Sequence, residues 1–232
     1  MHFTKARLQE VYWQSCRHEG FLNIYIYRRI SMRIAVVAAK LGISPNQIST
    51  GSLVFNIASA LMFVPGDSAM SLWALAPFHI GKVLDCADGQ LAHLANKQSA
   101  LGAFLDPFFD RVSDILILLA LAIGYHFSND ADIALYLLLA LVAAWFLAAY
   151  MDNYAKTQHT ALSTLRRAKE RATNPLITRL LKWDGGFTGL ITTVAVVFRQ
   201  IPALIAFFLL FAILPLPMQF KGIYIRLREE QA

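Results

Sequence analysis

Four aspartates, Asp85, Asp88, Asp106 and Asp110, fall within the stretch DCADGQLAHLANKQSALGAFLDPFFD of a chain that is otherwise strongly apolar. Carboxylates are costly beside hydrocarbon unless a function or a partner holds them there. Asp85 and Asp88 are three residues apart and Asp106 and Asp110 four apart, so each pair shares one face of a helix. A short connection between two such helices makes them antiparallel neighbours and lets the four side chains converge. Four acids at close range repel strongly in a medium of reduced dielectric, and bound cations are one remedy. An all-oxygen donor set suits hard divalent ions, Mg²⁺ or Mn²⁺ above all, with Ca²⁺ also admitted. Ion pairing with Lys82 or Arg111 accounts for one or two of these acids but not for four on two matched faces. Gly89 follows Asp88 directly and Gly102 stands four residues before Asp106. Missing side chains there allow either close helix packing or a slot for a flat group such as a nucleobase.

The elements that must position these residues follow from composition. Of 232 residues, 57% are hydrophobic and only 16% charged, where soluble domains carry about 25%. The apolar residues lie in long runs at 48–64, 69–91, 101–126, 132–152, 186–199 and 202–220. The expected fold class is therefore all-α: a polytopic membrane bundle of six transmembrane helices. The fifth run is short, and a five-span bundle is the rival arrangement. Residues 21–42 interleave Arg28, Arg29, Arg33 and Lys40 with aromatic and aliphatic side chains, as in an amphipathic helix lying in the headgroup layer. In the following ISPNQIST, Pro45 is expected to stop one helix, with Asn46 and Ser49 capping the next. The expected domains are an interfacial segment over 1–47, a transmembrane domain over 48–220 and a tail over 221–232.

Lys and Arg are dense before residue 50 and over 153–185 and absent from the loop VPGDSAM, which orients both termini and the aspartates to the cytoplasmic face of the cell membrane. The net charge of +6 flanks the apolar runs, so lipid headgroups rather than nucleic acid account for it. The first 50 residues hold no signal-peptide core, so the first span is expected to insert as an uncleaved anchor. Cys16 and Cys86 form no CxxC pair and imply neither a disulfide framework nor a thiolate zinc site.

Residues 85–110 resemble the signature of the CDP-alcohol phosphotransferase (CDP-alcohol phosphatidyltransferase) family, D-x2-D-G-x2-A-R-x8-G-x3-D-x3-D. Asp85, Asp88, Gly89, Ala92, Gly102, Asp106 and Asp110 fall at its spacings, and His93 stands where the pattern has Arg. An imidazole cannot reproduce the fixed fork of a guanidinium, so another cation, Lys97 for instance, would have to make its phosphate or helix-end contacts.

The resemblance implies transfer of a substituted phosphate from a CDP-linked donor, CDP-diacylglycerol foremost, to an alcohol acceptor with release of CMP. It implies that Asp85, Asp88, Asp106 and Asp110 hold two divalent ions, with Asp110 also the general base. Gly89, Ala92, His93 and Gly102 would line the donor site, with Asn46 and Ser49 at its rim. A homodimer is a further family expectation. Asp114 extends the same face, toward either the acceptor or Arg111. Arg166, Arg167, Lys169 and Arg171 could grip a phosphorylated acceptor or form a headgroup-facing surface. His79 and Trp73 read as packing or interfacial residues. The competing readings are an Mg²⁺-dependent intramembrane prenyltransferase and a non-catalytic cation-binding protein or transporter.

Overall fold

The computed structural model describes residues 3–16, 19–158, 185–214, 216, 217 and 220. Among them every regular element is helical. Arg166, Arg167, Lys169, Arg171 and the tail 221–232 lie outside the described residues. Thr4 opens α1 (Lys5–Ser15) by accepting from Arg7 N. A π-helical turn, Asn23–Tyr27, runs into α2 (Arg28–Leu41), which ends at Gly42 with φ 76°, a left-handed conformation that glycine adopts at no steric cost.

Ser44 opens α3 (Pro45–Phe63). Its hydroxyl accepts from Gln47 N at 3.3 Å, and the Gln47 side chain accepts from Ser44 N at 2.8 Å. Pro45 therefore starts a helix instead of stopping one, and Asn46 and Ser49 are not its caps, which corrects the sequence expectation. Proline suits the first helical position because the N–H it lacks has no intrahelical acceptor there. The preceding helix has already ended at Gly42.

Asp67 caps α4 (Ser68–Leu94) and Ser99 caps α5 (Ala100–Asn129), each side chain accepting from the backbone N–H three residues on. Next come α6 (Ile133–Gln158), α7 (Gly185–Val197) and α8 (Ile201–Ile213). The six apolar windows thus each hold one of α3–α8, the last ending at Ile213. The stretch Ile133–Met151 of α6 is long and apolar enough to cross a membrane, and α7 and α8 contribute shorter apolar helices. Trp73, Leu139 and Phe146 are 72, 71 and 77% exposed, an outer surface poorly matched to water.

Small polar residues join the helices inside. Ser52 donates to Gly81 O and Ser59 to Ala74 O, both at 2.9 Å, fastening α3 to α4. Asn56 donates to Ser113 on α5 at 3.1 Å. Such bonds suit an apolar interior, where helices gain little from hydrophobic contact. Two apolar clusters result. The larger joins Phe63, Phe78, Leu121, Leu141, Ile205 and Phe208 from five helices. The smaller packs Ala87, Leu91 and Leu94 at the end of α4 onto Ala35 and Ala38 of α2 and Val11 of α1. The outer side of the π-helical turn and α2 mixes exposed Ile26, Ile30 and Val37 with exposed Arg29, Arg33 and Lys40.

The turn between α3 and α4 presses onto α5. Gly66 has φ 70°, its carbonyl accepts from Ser128 Oγ at 2.6 Å, and a Cβ on Gly124 would collide with Phe63 O. A Cβ on Gly51 would meet only Leu84 Cδ1, at 3.8 Å. Gly124→Ala is therefore expected to cost about 1–3 kcal/mol through overpacking, whereas Gly51→Ala, in mid-helix, is neutral or stabilising. Thermal unfolding midpoints in detergent check the contrast.

Candidate functional site

The last three turns of α4 and the first three of α5 carry the aspartates. Carboxylate oxygens of Asp85, Asp88 and Asp106 lie within 4.8 Å of one another. Asp110 stands one turn beyond Asp106 on α5 and interacts electrostatically with Asp85. Asp88 is buried, Asp85 half-buried, and Asp106 and Asp110 are exposed. The group is therefore anchored on α4 and open on its α5 side. Asp88 is the most constrained: Ser49 Oγ donates to its Oδ2 at 2.5 Å and Gly89 N to its Oδ1 at 2.5 Å. The oxygen-only donor set and its spacing fit a hard divalent cation.

Behind the carboxylates, the opposite face of α4 is tied to the N-terminal elements. Arg28 donates to Cys86 O at 3.2 Å and pairs with Glu19 at 2.8 Å. Burial works against its charge, but Cys86, Glu19 and Asp85 act the other way and raise its pKa above the ordinary value. Fully buried Gln90 accepts from Ser31 Oγ at 2.6 Å and donates to Ser15 Oγ at 3.0 Å and Arg28 O at 3.3 Å. Arg28 also acts electrostatically on Asp85 and Asp106. Neither Arg28 nor Gln90 was singled out from sequence. A Gln directly after Asp88-Gly89, polar yet inside an apolar helix, was the available signal.

In front of the carboxylates lies an open cleft of about 570 Å³. Asn46, Ser49, Gly89, Ala92, His93 and Gly102 all line it, together with Asp88, Asp106 and Lys97. The two glycines differ in kind. A Cβ on Gly89 would meet nothing within 4 Å, whereas one on Gly102 would sit 3.2 Å from Ser99 Oγ and 3.6 Å from Asn46 Oδ1. Gly89 thus leaves cleft wall bare, and Gly102 permits a close approach.

His93 is held by the Gln98 amide, which donates to its Nδ1 at 2.6 Å. A guanidinium still serves this helix end: Arg7 of α1 donates to His93 O and Asn96 Oδ1, both at 3.0 Å. Asn96 takes a left-handed φ of 52°, and Lys97 N turns back to Ala92 O at 2.9 Å, which sets Lys97 at the cleft.

A second cavity of about 610 Å³ holds Lys82, Arg111, Asp114, Trp145 and Thr192. Asp114 pairs with Arg111 at 3.6 Å. His79 bridges Tyr27 Oη at 2.6 Å and Thr193 Oγ1 at 2.8 Å, joining three elements as a packing residue does.

The family model for CDP-alcohol phosphatidyltransferase matches residues 42–216, and the chain belongs to that family. It is 36% identical over 92 residues to the archaetidylinositol phosphate synthase of Pyrococcus horikoshii, covering 40% of this chain and 47% of that protein. It is 28% identical to the phosphatidylinositol phosphate synthase of Streptomyces avermitilis, covering 50% of this chain and 48% of that protein. The bifunctional IPC transferase and DIPP synthase of Aquifex aeolicus is 26% identical over 71% of this chain and 39% of its own length. The chain thus spans about half or less of the relatives it matches.

Arg7, Glu19 and Arg28 precede the matched stretch. Arg28→Met leaves Glu19 with only the Asn23 amide at 2.6 Å and removes a donor from Cys86 O, at an expected cost of about 1–3 kcal/mol. Arg28→Lys recovers only part of this, because an ammonium cannot serve both partners with a planar fork. Thermal unfolding of the two variants against wild type measures both effects.

Proposed function

We propose that the protein is an integral membrane transferase of phospholipid biosynthesis. It moves a substituted phosphate group, the phosphatidyl group of CDP-diacylglycerol, to an alcohol acceptor and releases CMP. The observation that carries this reading is the convergence of Asp85, Asp88 and Asp106 to within 4.8 Å at the edge of a cleft, with Asp110 one turn away. Family membership supplies the reaction type. Relatives named for inositol-containing products make an inositol-derived acceptor the first to test.

Asp85, Asp88, Asp106 and Asp110 would hold two divalent cations, Mg²⁺ or Mn²⁺. Such ions clamp a diphosphate and neutralise the charge that develops on a departing nucleotide. The cleft takes the cytidine end of the donor: Gly89 and Ala92 form a bare wall, Asn46 and Ser49 a polar rim, and Lys97 and His93 the cationic and imidazole side. Ser49 donates to Asp88 Oδ2 and fixes the orientation of that carboxylate at the cleft. Asp110, exposed on α5, takes the proton of the acceptor hydroxyl. The hydroxyl oxygen bonds to the phosphorus bearing the lipid group, the bond from that phosphorus to the bridging oxygen breaks, and the electron pair leaves on CMP.

In this reading α3–α8 are the six spans, and α1 and α2 lie at the cytoplasmic face with the site above them. The mixed outer side of the π-helical turn and α2, with Ile26, Ile30 and Val37 among Arg29, Arg33 and Lys40, suits an anionic lipid surface.

The test is purified full-length protein offered a panel of CDP-linked donors and alcohols, with CMP followed by mass spectrometry. Asp106→Asn and Asp110→Asn are each expected to lower CMP release at least about a hundredfold while eluting from gel filtration as wild type does. Chelation by EDTA should abolish turnover, and Mg²⁺ or Mn²⁺ should restore it. Undiminished turnover by both variants would refute the assignment.

A further inference from the structure

His93 leaves the end of α4 without the arginine of the family signature, and a guanidinium reaches that end from an element preceding the matched stretch. Arg7 lies on α1, which Thr4 caps and Val11 seats against Leu91 and Leu94 in the smaller apolar cluster. Its Nη1 donates to Glu10 at 3.0 Å, and its Nη2 donates to His93 O and Asn96 Oδ1, both at 3.0 Å. The last carbonyls of a helix lack intrahelical donors and carry the negative end of its dipole, so a cation is well placed there. Asn96 follows the end of α4 with a left-handed φ of 52°, which a residue with a side chain adopts at a cost. Lys97 N then closes onto Ala92 O at 2.9 Å, the closure common where a left-handed residue ends a helix. Beyond it, Gln98 donates to His93 Nδ1 and Ser99 caps α5. Among the described residues lining the cleft, Lys97 is the one Lys or Arg. A lysine is a point charge on a flexible stem, so the backbone that carries it decides where its nitrogen can reach.

We infer that Arg7 is a positioning residue for the donor: by fixing the turn after α4, it sets Lys97 to meet the phosphate beside the nucleoside. This rests on the transferase reading above, in which the cleft takes the cytidine end of a CDP-linked donor. The work of one signature arginine is divided between two side chains, Arg7 at the helix end and Lys97 on the phosphate. If Arg7 served stability alone, its loss would lower the amount of folded protein. The molecules still folded would bind the nucleotide as wild type does.

The experiment separates the two roles. Purified full-length wild type, Arg7→Met, Lys97→Met and the double variant, each with Mg²⁺, are dialysed to equilibrium against radiolabelled CDP. Cytidine is then titrated in as a competitor. Lys97→Met is expected to weaken CDP binding about tenfold, the worth of one charge-assisted hydrogen bond. Arg7→Met should weaken it about three- to tenfold. Adding Arg7→Met to Lys97→Met should weaken it no further, because residues that act through one contact are not additive. The inhibition constant of cytidine, which offers no phosphate, should stay at the wild-type value in every variant. In turnover with CDP-diacylglycerol, Arg7→Met should raise the donor KM by the factor seen for CDP, while kcat moves far less. Should Arg7→Met not fold, Asn96→Gly carries the same comparison, since it admits the left-handed backbone and removes the amide that Arg7 holds.

Unchanged CDP binding by Arg7→Met, losses that add in the double variant, or equal losses for CDP and cytidine overturn the proposal. Any of these, in a wild type that releases CMP, leaves the transferase reading standing. A wild type that binds CDP but releases CMP with no donor and acceptor sinks that reading, while the dialysis still decides the role of Arg7. A wild type that does not bind CDP sinks both.

Discussion

Like charges crowded at the edge of an apolar bundle are the constraint around which this structure is arranged. Three carboxylates within 4.8 Å, with a fourth one helical turn further along α5, repel each other by about several kcal/mol at the effective dielectric of a protein surface. Left to itself, such a group would splay its side chains or separate its helices. The surrounding residues counter this from several sides. Arg28 acts on Asp85 and Asp106 from the N-terminal elements, and Lys82 on Asp85, Asp110 and Asp114 from the second cavity. Lys97 stands at the cleft. Ser49 and Gly89 N fix Asp88 by hydrogen bonds that favour a carboxylate in one orientation. The site is thus preorganised by its protein neighbours.

The same helix divides its faces between chemistry and anchorage. Along the last turns of α4, Asp85, Asp88 and Ala92 turn toward the site, while Cys86, Ala87, Gln90, Leu91 and Leu94 turn toward α1 and α2. The helical period places an anchoring residue beside nearly every functional one. Cys86 O, the Gln90 amide and His93 O, held by Arg28, Ser31 and Arg7 respectively, are spread along this segment. A rotation of α4 that let the carboxylates diverge would break all three contacts together. The π-helical turn at Asn23–Tyr27 belongs to this arrangement, since it buries Asn23, Ile24 and Tyr27 against the bundle just before Arg28.

This division explains what was legible in the sequence. Spacing of three and four is a local property, so the pairing of Asp85 with Asp88 and of Asp106 with Asp110 could be read directly, as could the apolar windows that became α3–α8. The cleft residues were legible only through the family resemblance, since nothing in the sequence alone brings Asn46 to Gly102. The anchoring role of Arg28 was not legible, and that of Gln90 showed only as a polar residue inside an apolar helix. Their partners lie 58 and 59 residues away, and an Arg in a mixed basic segment looks like any headgroup-facing cation until its burial is known. The helix start at Pro45 was misjudged because proline ends and begins helices with equal ease. The deciding residues were its neighbours Gly42 and Ser44, whose roles depend on backbone conformation.

Sidedness follows from the same packing. α5 enters the site with Asp106 toward the cleft and leaves it with Arg111 and Asp114 toward the second cavity, so a few residues carry the chain from one side of the carboxylates to the other. Asp110 lies between these groups along α5, one residue before Arg111. The carboxylates on α4 are the ones braced from behind by α1 and α2. Those on α5 face the exchange of substrates and are exposed. Rigidity on one helix and access on the other therefore arise from the same asymmetric burial of two matched pairs of acids.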